Sequence, residues 1–518
     1  MPTLIHRFDI QNIMPDNVMR PTSVDEVLAL PSFHQVLMRF QDQFGLPFEA
    51  APENIQHAIV KRRLSQLVAI LRVNPLWRRR IDTALPNMAM ERFEDFAAIP
   101  VTGKEIFRLF FTNERPGMVV PIDHCGFQIV ASGGTSSGKQ SETVYSRADL
   151  QETYRWAGAF IGRHITNTML RSTGAKWMLT TLADHQMWSI GSMVGGVLQA
   201  IPGVNYIGAG PISREVYQLI MSYPGAKGIM GITASIALLP AFAEGLSPEA
   251  RESLHMVMYG NGIMTPKLRA DLEAAYPNVK ILSYFAATQA ETIGLQLDPE
   301  SPVLTAVPGL HHIEALRSDG RSVAVGEEGE LVVTRLFGNA APCLRYKLND
   351  RVRRMPDLVR DGLRAMQFEY VGRSGEFFHI GDTQYAAAPA LTAIIEEFRT
   401  RNILDIYQIA LDIQFKIDRR ERAFTIVIAC DDPNAIKKEI AARLGATGSS
   451  PVIMSALTRS LSNFDSFKAN QESLILTGFR FSLMVVERGS KEIQRTVVGK
   501  VPLVNDRIIP FETGHTVH

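Results

Sequence analysis

The sequence predicts an α/β protein: a large, multi-sheet N-terminal domain of mainly parallel βαβ units over residues 1–373, then a small α+β domain over 374–518. Length, an alternating pattern and a change of character carry that reading. A chain of 518 residues exceeds what one hydrophobic core usually serves. Between residues 177 and 243, short apolar runs at 176–181, 204–208 and 228–232 alternate with glycine-containing turns and a helical pattern at 214–222, as strands and crossover helices do in a parallel sheet. After Tyr370-Val371-Gly372-Arg373-Ser374-Gly375 the pattern changes, and a linker is placed there.

Composition narrows the class of function. The chain is 46% apolar and 21% charged with a formal net charge of +1, as an ordinary globular protein is. That balance argues against nucleic acid or a membrane surface as partner. Cys125, Cys343 and Cys430 are far apart and form no Cys-x-x-Cys pair, so neither a zinc site nor a disulfide framework is expected, and a reducing cytoplasm suits them. The first residues carry no apolar core followed by a small-residue cleavage site. The longest apolar runs, such as 236–243 with its Pro240, are too short to cross a bilayer.

Val60, Leu64, Leu67, Val68 and Leu71 recur at helical spacing with Lys61, Arg62, Arg63 and Arg72 between them, predicting a helix that buries one face and solvates its basic residues. Residues 127–131 and 143–145 read as strands. Between them lies Ser132-Gly133-Gly134-Thr135-Ser136-Ser137-Gly138-Lys139-Gln140. Glycines let successive N–H groups turn toward an anion, hydroxyls add donors and Lys139 adds positive charge, so the loop suits phosphate. The alternatives are a flexible surface turn, or a Walker-type loop that fails at Gln140, where a Ser or Thr is needed to reach the magnesium ion.

Ser146 reads as the N-cap of a helix through Tyr154, Trp156 and Phe160. His185 either lines a pocket or is a satisfied structural histidine. Met187, Trp188 and Met193 suggest either an apolar ligand cavity or plain core. A strand at 255–259 ends at Gly260-Asn261-Gly262, whose backbone can lie flat against a planar ligand or simply turn the chain into the helix at 266–276. A strand at 280–284 runs into Phe285-Ala286-Ala287-Thr288-Gln289-Ala290-Glu291-Thr292, at the kind of strand end where open α/β sheets bind ligands. Strands are expected at 330–334 and 343–346, and Asp350 then sits among cations, alone no more than a surface ion-pair cluster. Later strands at 411–417, 424–430 and 481–486 and a helix at 434–444 make the small domain. Lys500 follows in a polar loop, where most lysines are merely solvated.

The order of these segments resembles the adenylate-forming superfamily, most of all phenylacetate-CoA ligases and related aryl-CoA ligases. Ile99-Pro100-Val101-Thr102-Gly103-Lys104 resembles the subgroup's LPxTTK segment, and Arg345-Tyr346 precedes the aspartate as it does there. The resemblance spans residues from about 60 to 510. It implies a large domain that binds ATP and a carboxylic acid, and a small mobile domain that closes over them. The carboxylate of a small aryl acid would attack the α-phosphorus of ATP, and CoA, or alternatively an amine or a carrier-protein thiol, would displace AMP. A non-catalytic nucleotide-binding protein on the same scaffold is a further alternative, and a homodimer a further expectation.

By the same resemblance, Ser132, Gly133, Gly134, Thr135, Ser136, Ser137, Gly138 and Lys139 would hold the phosphates. Asn261 and Gly262 would cover one face of adenine and Phe285, with Ala286 and Ala287, the other. Asp350 would accept the ribose hydroxyls, Thr288 would donate to the α-phosphate, and Arg373 would lie near ribose and phosphate. Lys500 would bridge carboxylate and α-phosphate during adenylation. Three departures stand out: the loop has one residue more than the family form, Gln289 replaces the glutamate that usually holds Mg2+, and Gly375 replaces an aspartate at the hinge. An amide is a poorer ligand for a hard dication than a carboxylate, so either Glu291 takes over as metal ligand, or phosphates and water hold the metal, or activity is reduced.

Overall fold

The computed structural model describes residues 7–506 apart from 87–89, 133–140, 172–173, 186, 361, 374–376, 381–382, 446–447, 461–477 and 496–500. Two compact units emerge: Met1–Gly231 with Gly245–Gly260 and Asn278–Val371, and Ile232–Glu244 with Asn261–Pro277 and Gly372–His518.

In the first unit, β1 (Phe127–Ser132) and β2 (Ser141–Ser146) form an antiparallel pair in which Ser132 faces Ser141. The main sheet contains β3 (Lys176–Thr180), β4 (Asn205–Gly208), β5 (Ala226–Ile232), β6 (Leu254–Gly260), β7 (Lys280–Ala287), β8 (Glu291–Gln296), β9 (Leu304–Ala306), β10 (His311–Leu316), β11 (Glu328–Arg335), β12 (Tyr346–Arg360) and β13 (Leu363–Arg373). These eleven strands lie in the order β10-β11-β12-β13-β9-β8-β7-β6-β5-β3-β4. Pairing is parallel for β4 with β3, β3 with β5, and β6 with β7. It is antiparallel from β7 to β8, β8 to β9, β9 to β13, β12 to β11 and β11 to β10.

The βαβ pattern is therefore the architecture of the half from β3 to β7. Every residue of β5 is buried, as expected of a strand covered on both faces. Gly228 in its middle is required by packing: a Cβ there would lie 2.5 Å from Sδ of Met178 and 2.9 Å from Cε of Met256. Beyond β7 only residues 288–290 separate it from β8, too few for a crossover helix, so the chain continues by reversal.

The helix Glu53–Arg72 buries Leu64, Leu67, Val68 and Leu71, as the spacing predicts, while Ile59 is buried in place of the half-buried Val60. Its basic residues are not all solvated. Arg63 is fully buried and donates from Nε to Leu336 O (2.7 Å) and from Nη2 to Asn339 Oδ1 (2.6 Å). The helix Arg147–Ile161 begins as expected, with Ser146 Oγ accepting from the Asp149 amide (3.3 Å) and Trp156 and Phe160 buried. Cys343–Arg345 is not the expected strand, because β12 begins only at Tyr346. Arg345 adopts a left-handed φ of 42° and turns the chain there.

The second unit carries β14 (Phe377–Ile380) paired with β15 (Thr383–Ala386), and a four-stranded sheet of β16 (Asp412–Asp418), β17 (Ala423–Cys430), β18 (Arg480–Glu487) and β19 (Val504–Asp506). The order is β18-β17-β16-β19. Phe378 stacks on Tyr385 and Phe424 in its core, beneath the helices Ala387–Thr400 and Ser450–Ser460. The helix Pro266–Ala275 belongs to this unit: Thr265 Oγ1 caps it at the Leu268 amide (3.2 Å) and donates to Ala410 O (2.5 Å), and Lys267 pairs with Asp431 (3.0 Å).

Candidate active site

Of the expected phosphate loop, Ser132 ends β1, and Gly133, Gly134, Thr135, Ser136, Ser137, Gly138, Lys139 and Gln140 lie outside the described residues. Lys500 and Gly375 lie outside them as well. The described residues show how the ends of that loop are held: β1 and β2 pair through Ser132 and Ser141, so its two stems stand side by side.

Phe285 and Asp350 meet through a residue that sequence reasoning did not single out. The ring of Tyr370 lies 5.3 Å from that of Phe285 at 38°, and its hydroxyl donates to Asp350 Oδ1 over 3.1 Å. Phe368 meets Phe285 edge-on at 6.3 Å. The sheet explains the meeting, because β9 lies between β8 and β13 and brings Phe368 and Tyr370 toward the end of β7. A shift of register between Phe285 and Ala286 marks a bulge at that end, leaving Ala286 exposed and Ala287 half-buried.

Thr288, Gln289 and Ala290 form the turn from β7 to β8, closed by the Ala290 amide on Ala287 O (3.1 Å). Thr288 O accepts a 2.6 Å hydrogen bond from the Tyr145 hydroxyl. Burial first, then the charge of Glu291, holds that hydroxyl's pKa well above the ordinary tyrosine value, so it stays a donor. The guanidinium carbon of Arg335 lies 4.2 Å from the centre of the Tyr145 ring. Glu291, in a left-handed conformation (φ 46°), places Oε1 3.5 Å from Arg335 Nη1 and Oε2 3.2 Å from His311 Nε2.

This arrangement bears on the expectation for Glu291. Its carboxylate is buried and both oxygens face cationic or donor nitrogens, so it does not offer the open face that a metal ligand needs. Gln289 is buried and carries an amide. Among the described residues no group of three or more His, Cys, Asp or Glu is placed to hold a metal ion. Among the described residues, Glu291 and Gln289 do not make a carboxylate cradle for magnesium.

Arg345 is buried and grips Glu314 through Nε and Nη2 (2.9 and 2.8 Å), while Nη1 donates to the carbonyls of Ala97 and Ile99. The Thr102 amide donates to Arg345 O (2.7 Å) and the Lys347 amide to Thr102 O (3.0 Å). The Ile99–Lys104 segment is thereby tied to the start of the strand that carries Asp350.

No family model matches the chain. An L-proline–[L-prolyl-carrier protein] ligase of Pseudomonas fluorescens is 31% identical over 150 residues, which is 26% of this chain and only 28% of that protein's length. Phenylacetate-coenzyme A ligase of Escherichia coli is 25% identical over 328 residues, 61% of this chain and 70% of the relative. Among solved structures, a 2-hydroxyisobutyryl-CoA ligase in the postadenylation state superposes with a TM-score of 0.65 at 17% identity, over 89% of this chain and 91% of that one. An acyl acid amido synthetase superposes at 0.56 and 14% identity, again over 89% and 91%. The chain has the fold of the adenylate-forming enzymes.

On this adenylate-forming scaffold the remaining expected residues fall in both units. Asn261 (φ 56°) and Gly262 belong to the second unit, where a Cβ on Gly262 would come within 2.8 Å of Thr233 Cβ and Oγ1. Arg373 ends β13 and is exposed. His185 is exposed and bridges its backbone to Trp188 (3.0 and 2.8 Å). Met187 is 46% exposed, and Met193 packs on Val130, Tyr145 and Leu150. A separate cleft of about 500 Å³, lined by Phe48, His57, Phe93, His312 and Arg364 among others, contains none of the expected residues. Tyr145, Arg335 and Tyr370 were the residues missed. Arg335 carried a signal, as the one cation ending the strand pattern Leu331-Val332-Val333-Thr334.

Proposed function

We propose that this protein is an AMP-forming acid ligase. It activates a small, aryl carboxylic acid with ATP as the acyl-adenylate and then passes the acyl group to CoA. The observation that carries the proposal is the Phe285–Tyr370–Asp350 group, an aromatic surface beside a buried carboxylate at a strand end of the sheet. A flat ring and an anionic acceptor are the chemistry that a nucleoside demands.

In this reading Phe285 with Ala286 and Ala287 faces adenine, Asn261 and Gly262 cover its other face, and Asp350 accepts the ribose hydroxyls. Thr288 and the loop from Ser132 to Lys139 donate to the phosphates. Charge must be neutralised on the transferring group and on departing pyrophosphate, the task assigned to Lys139, Arg373 and Lys500. Residues 1–373 bind ATP and acid, and residues 374–518 act as the lid. The metal expected from the resemblance finds no cradle among the described residues. Among those residues no helix is long and apolar enough to cross a membrane. Homodimer formation belongs to the same proposal and is read by sedimentation.

The acceptor has a second reading, an amine or a carrier-protein thiol, favoured by the likeness to the prolyl-carrier-protein ligase and to the amido synthetase fold. Exchange of labelled pyrophosphate into ATP across a panel of aryl and aliphatic acids tests adenylation. Robust exchange with one acid class is expected; its absence with every acid leaves a non-catalytic nucleotide-binding protein, and release of ADP instead of AMP points to a Walker-type NTPase. AMP release that never depends on CoA transfers the second step to the other acceptors.

A further inference from the structure

Glu291, Arg335 and Tyr145 form one buried chain of contacts that ends on the backbone of the Thr288 turn. The side chains of Glu291 and Arg335 are each 5% exposed and that of His311 is 1% exposed. A dication added beside Glu291 would have to displace Arg335 and be desolvated in the same place, and nothing there replaces its lost water. Arg335 is fixed besides by Val144 O (3.4 Å) and by Ala341 O. Lying 4.2 Å above the Tyr145 ring, it sets the plane of that ring, and the ring aims its hydroxyl at Thr288 O.

The consequence runs through the peptide bond. In a trans peptide the carbonyl of one residue and the N–H of the next lie in one plane and point in opposite directions. Tyr145 holds Thr288 O, so the Gln289 N–H is turned away from Tyr145. The Thr288 and Gln289 amides donate to no backbone or side-chain acceptor recorded among the described residues, although Gln289 is only 7% exposed. Two N–H groups in succession in a turn, here on the half-buried Thr288 and on Gln289, form an anion-binding concavity. The backbone of Glu291 is itself left-handed, a conformation that costs free energy for a non-glycine residue and persists where surrounding contacts enforce it.

We propose that Glu291 is a positioning residue and not a metal ligand: through Arg335 and Tyr145 it orients the Thr288–Gln289 peptide so that the Gln289 N–H is presented to a phosphate oxygen. The ligand class is the phosphate of a nucleotide, and the inference rests on the adenylation reading.

Two variants that keep size test it, Tyr145→Phe and Glu291→Gln. In pyrophosphate exchange each is expected to lower kcat about tenfold, the scale of one misplaced transition-state hydrogen bond, with the KM for ATP and the Mg2+ concentration for half-maximal rate moved less than about twofold. The double variant is expected to be no slower than the slower single one, because both cut the same chain. A Glu291→Gln enzyme whose Mg2+ requirement rises about tenfold and whose rate returns in excess Mg2+ overturns the proposal, as do losses that multiply. Amide hydrogen exchange in the nucleotide-free protein gives a readout without activity: peptides covering 287–291 should exchange about tenfold faster in both variants while global melting shifts by only a few degrees. Unchanged exchange there overturns the positioning role. A parent protein inactive with every acid instead overturns the adenylation reading, and the hydrogen-exchange arm still decides the positioning role.

Discussion

Tyr370 donates its hydroxyl to Oδ1 of Asp350 over 3.1 Å, and this bond ties the residue expected at the ribose to the aromatic surface expected at adenine. Tyr370→Phe keeps the ring and removes the bond. The KM for ATP in pyrophosphate exchange should rise about three- to tenfold with little change in kcat, the effect of one hydrogen bond to a charged group. Asp350→Asn should raise it further, since the acceptor itself is weakened.

The buried pair of Arg345 and Glu314 is a stability element. Arg345→Met leaves Glu314 buried without its partner and strips donors from Ala97 O and Ile99 O. The expected cost is about 3–5 kcal/mol, read as a lower urea midpoint. The double variant Arg345→Met/Glu314→Gln should recover part of it, because the unpaired charge is gone.

Burial pushes the Asp149 carboxyl up to about 6 from an ordinary 3.8, against the Asn339 amide at 3.3 Å and the charge of Arg63. Below the lower value both folded and unfolded chains are protonated. Between the two values the folded chain holds the extra proton, so this group lowers stability as pH rises, and above about 6 its full cost is present. Asp149→Asn removes the titration. Relative to wild type its stability should rise by about 1–3 kcal/mol between pH 4 and pH 7, measured as paired urea midpoints.

Lys500→Ala should abolish most pyrophosphate exchange while ATP binding, read by calorimetry, changes little, because a charge that acts on the transferring phosphoryl group acts mainly in the transition state. Loss of ATP binding instead would move Lys500 from chemistry to nucleotide affinity.

Local elements were legible wherever periodicity and capping agreed. The helix at Ser146 begins at its predicted cap, and the strands around the glycine-rich loop form where β-branched and aromatic residues cluster. The parallel half was readable because long crossovers leave a helical period between apolar runs. The antiparallel half was not, because short reversals such as 288–290 leave no such signal and pairings like that of β9 with β13 join residues far apart in the chain. Phe285 and Asp350 were legible as residue types, and Tyr370, which joins them, was not. Arg63 was misjudged for a related reason: helical spacing reports which face is apolar, and it does not report a carbonyl such as Leu336 O arriving from another segment.

The β1–β2 pair has a bearing on how this protein tolerates change. Register between these strands is set by six facing pairs, from Phe127 with Ser146 to Ser132 with Ser141, all below the glycine-rich segment. An added residue above that last pair alters how far the connection reaches without sliding a single rung beneath it, and lengthening a short connection costs only fractions of a kcal/mol to about 1 in closure entropy. The frame therefore tolerates a change of length between the stems while Tyr145 keeps its place in β2, and it is the proposed phosphate-binding role that restrains the chemistry carried on it.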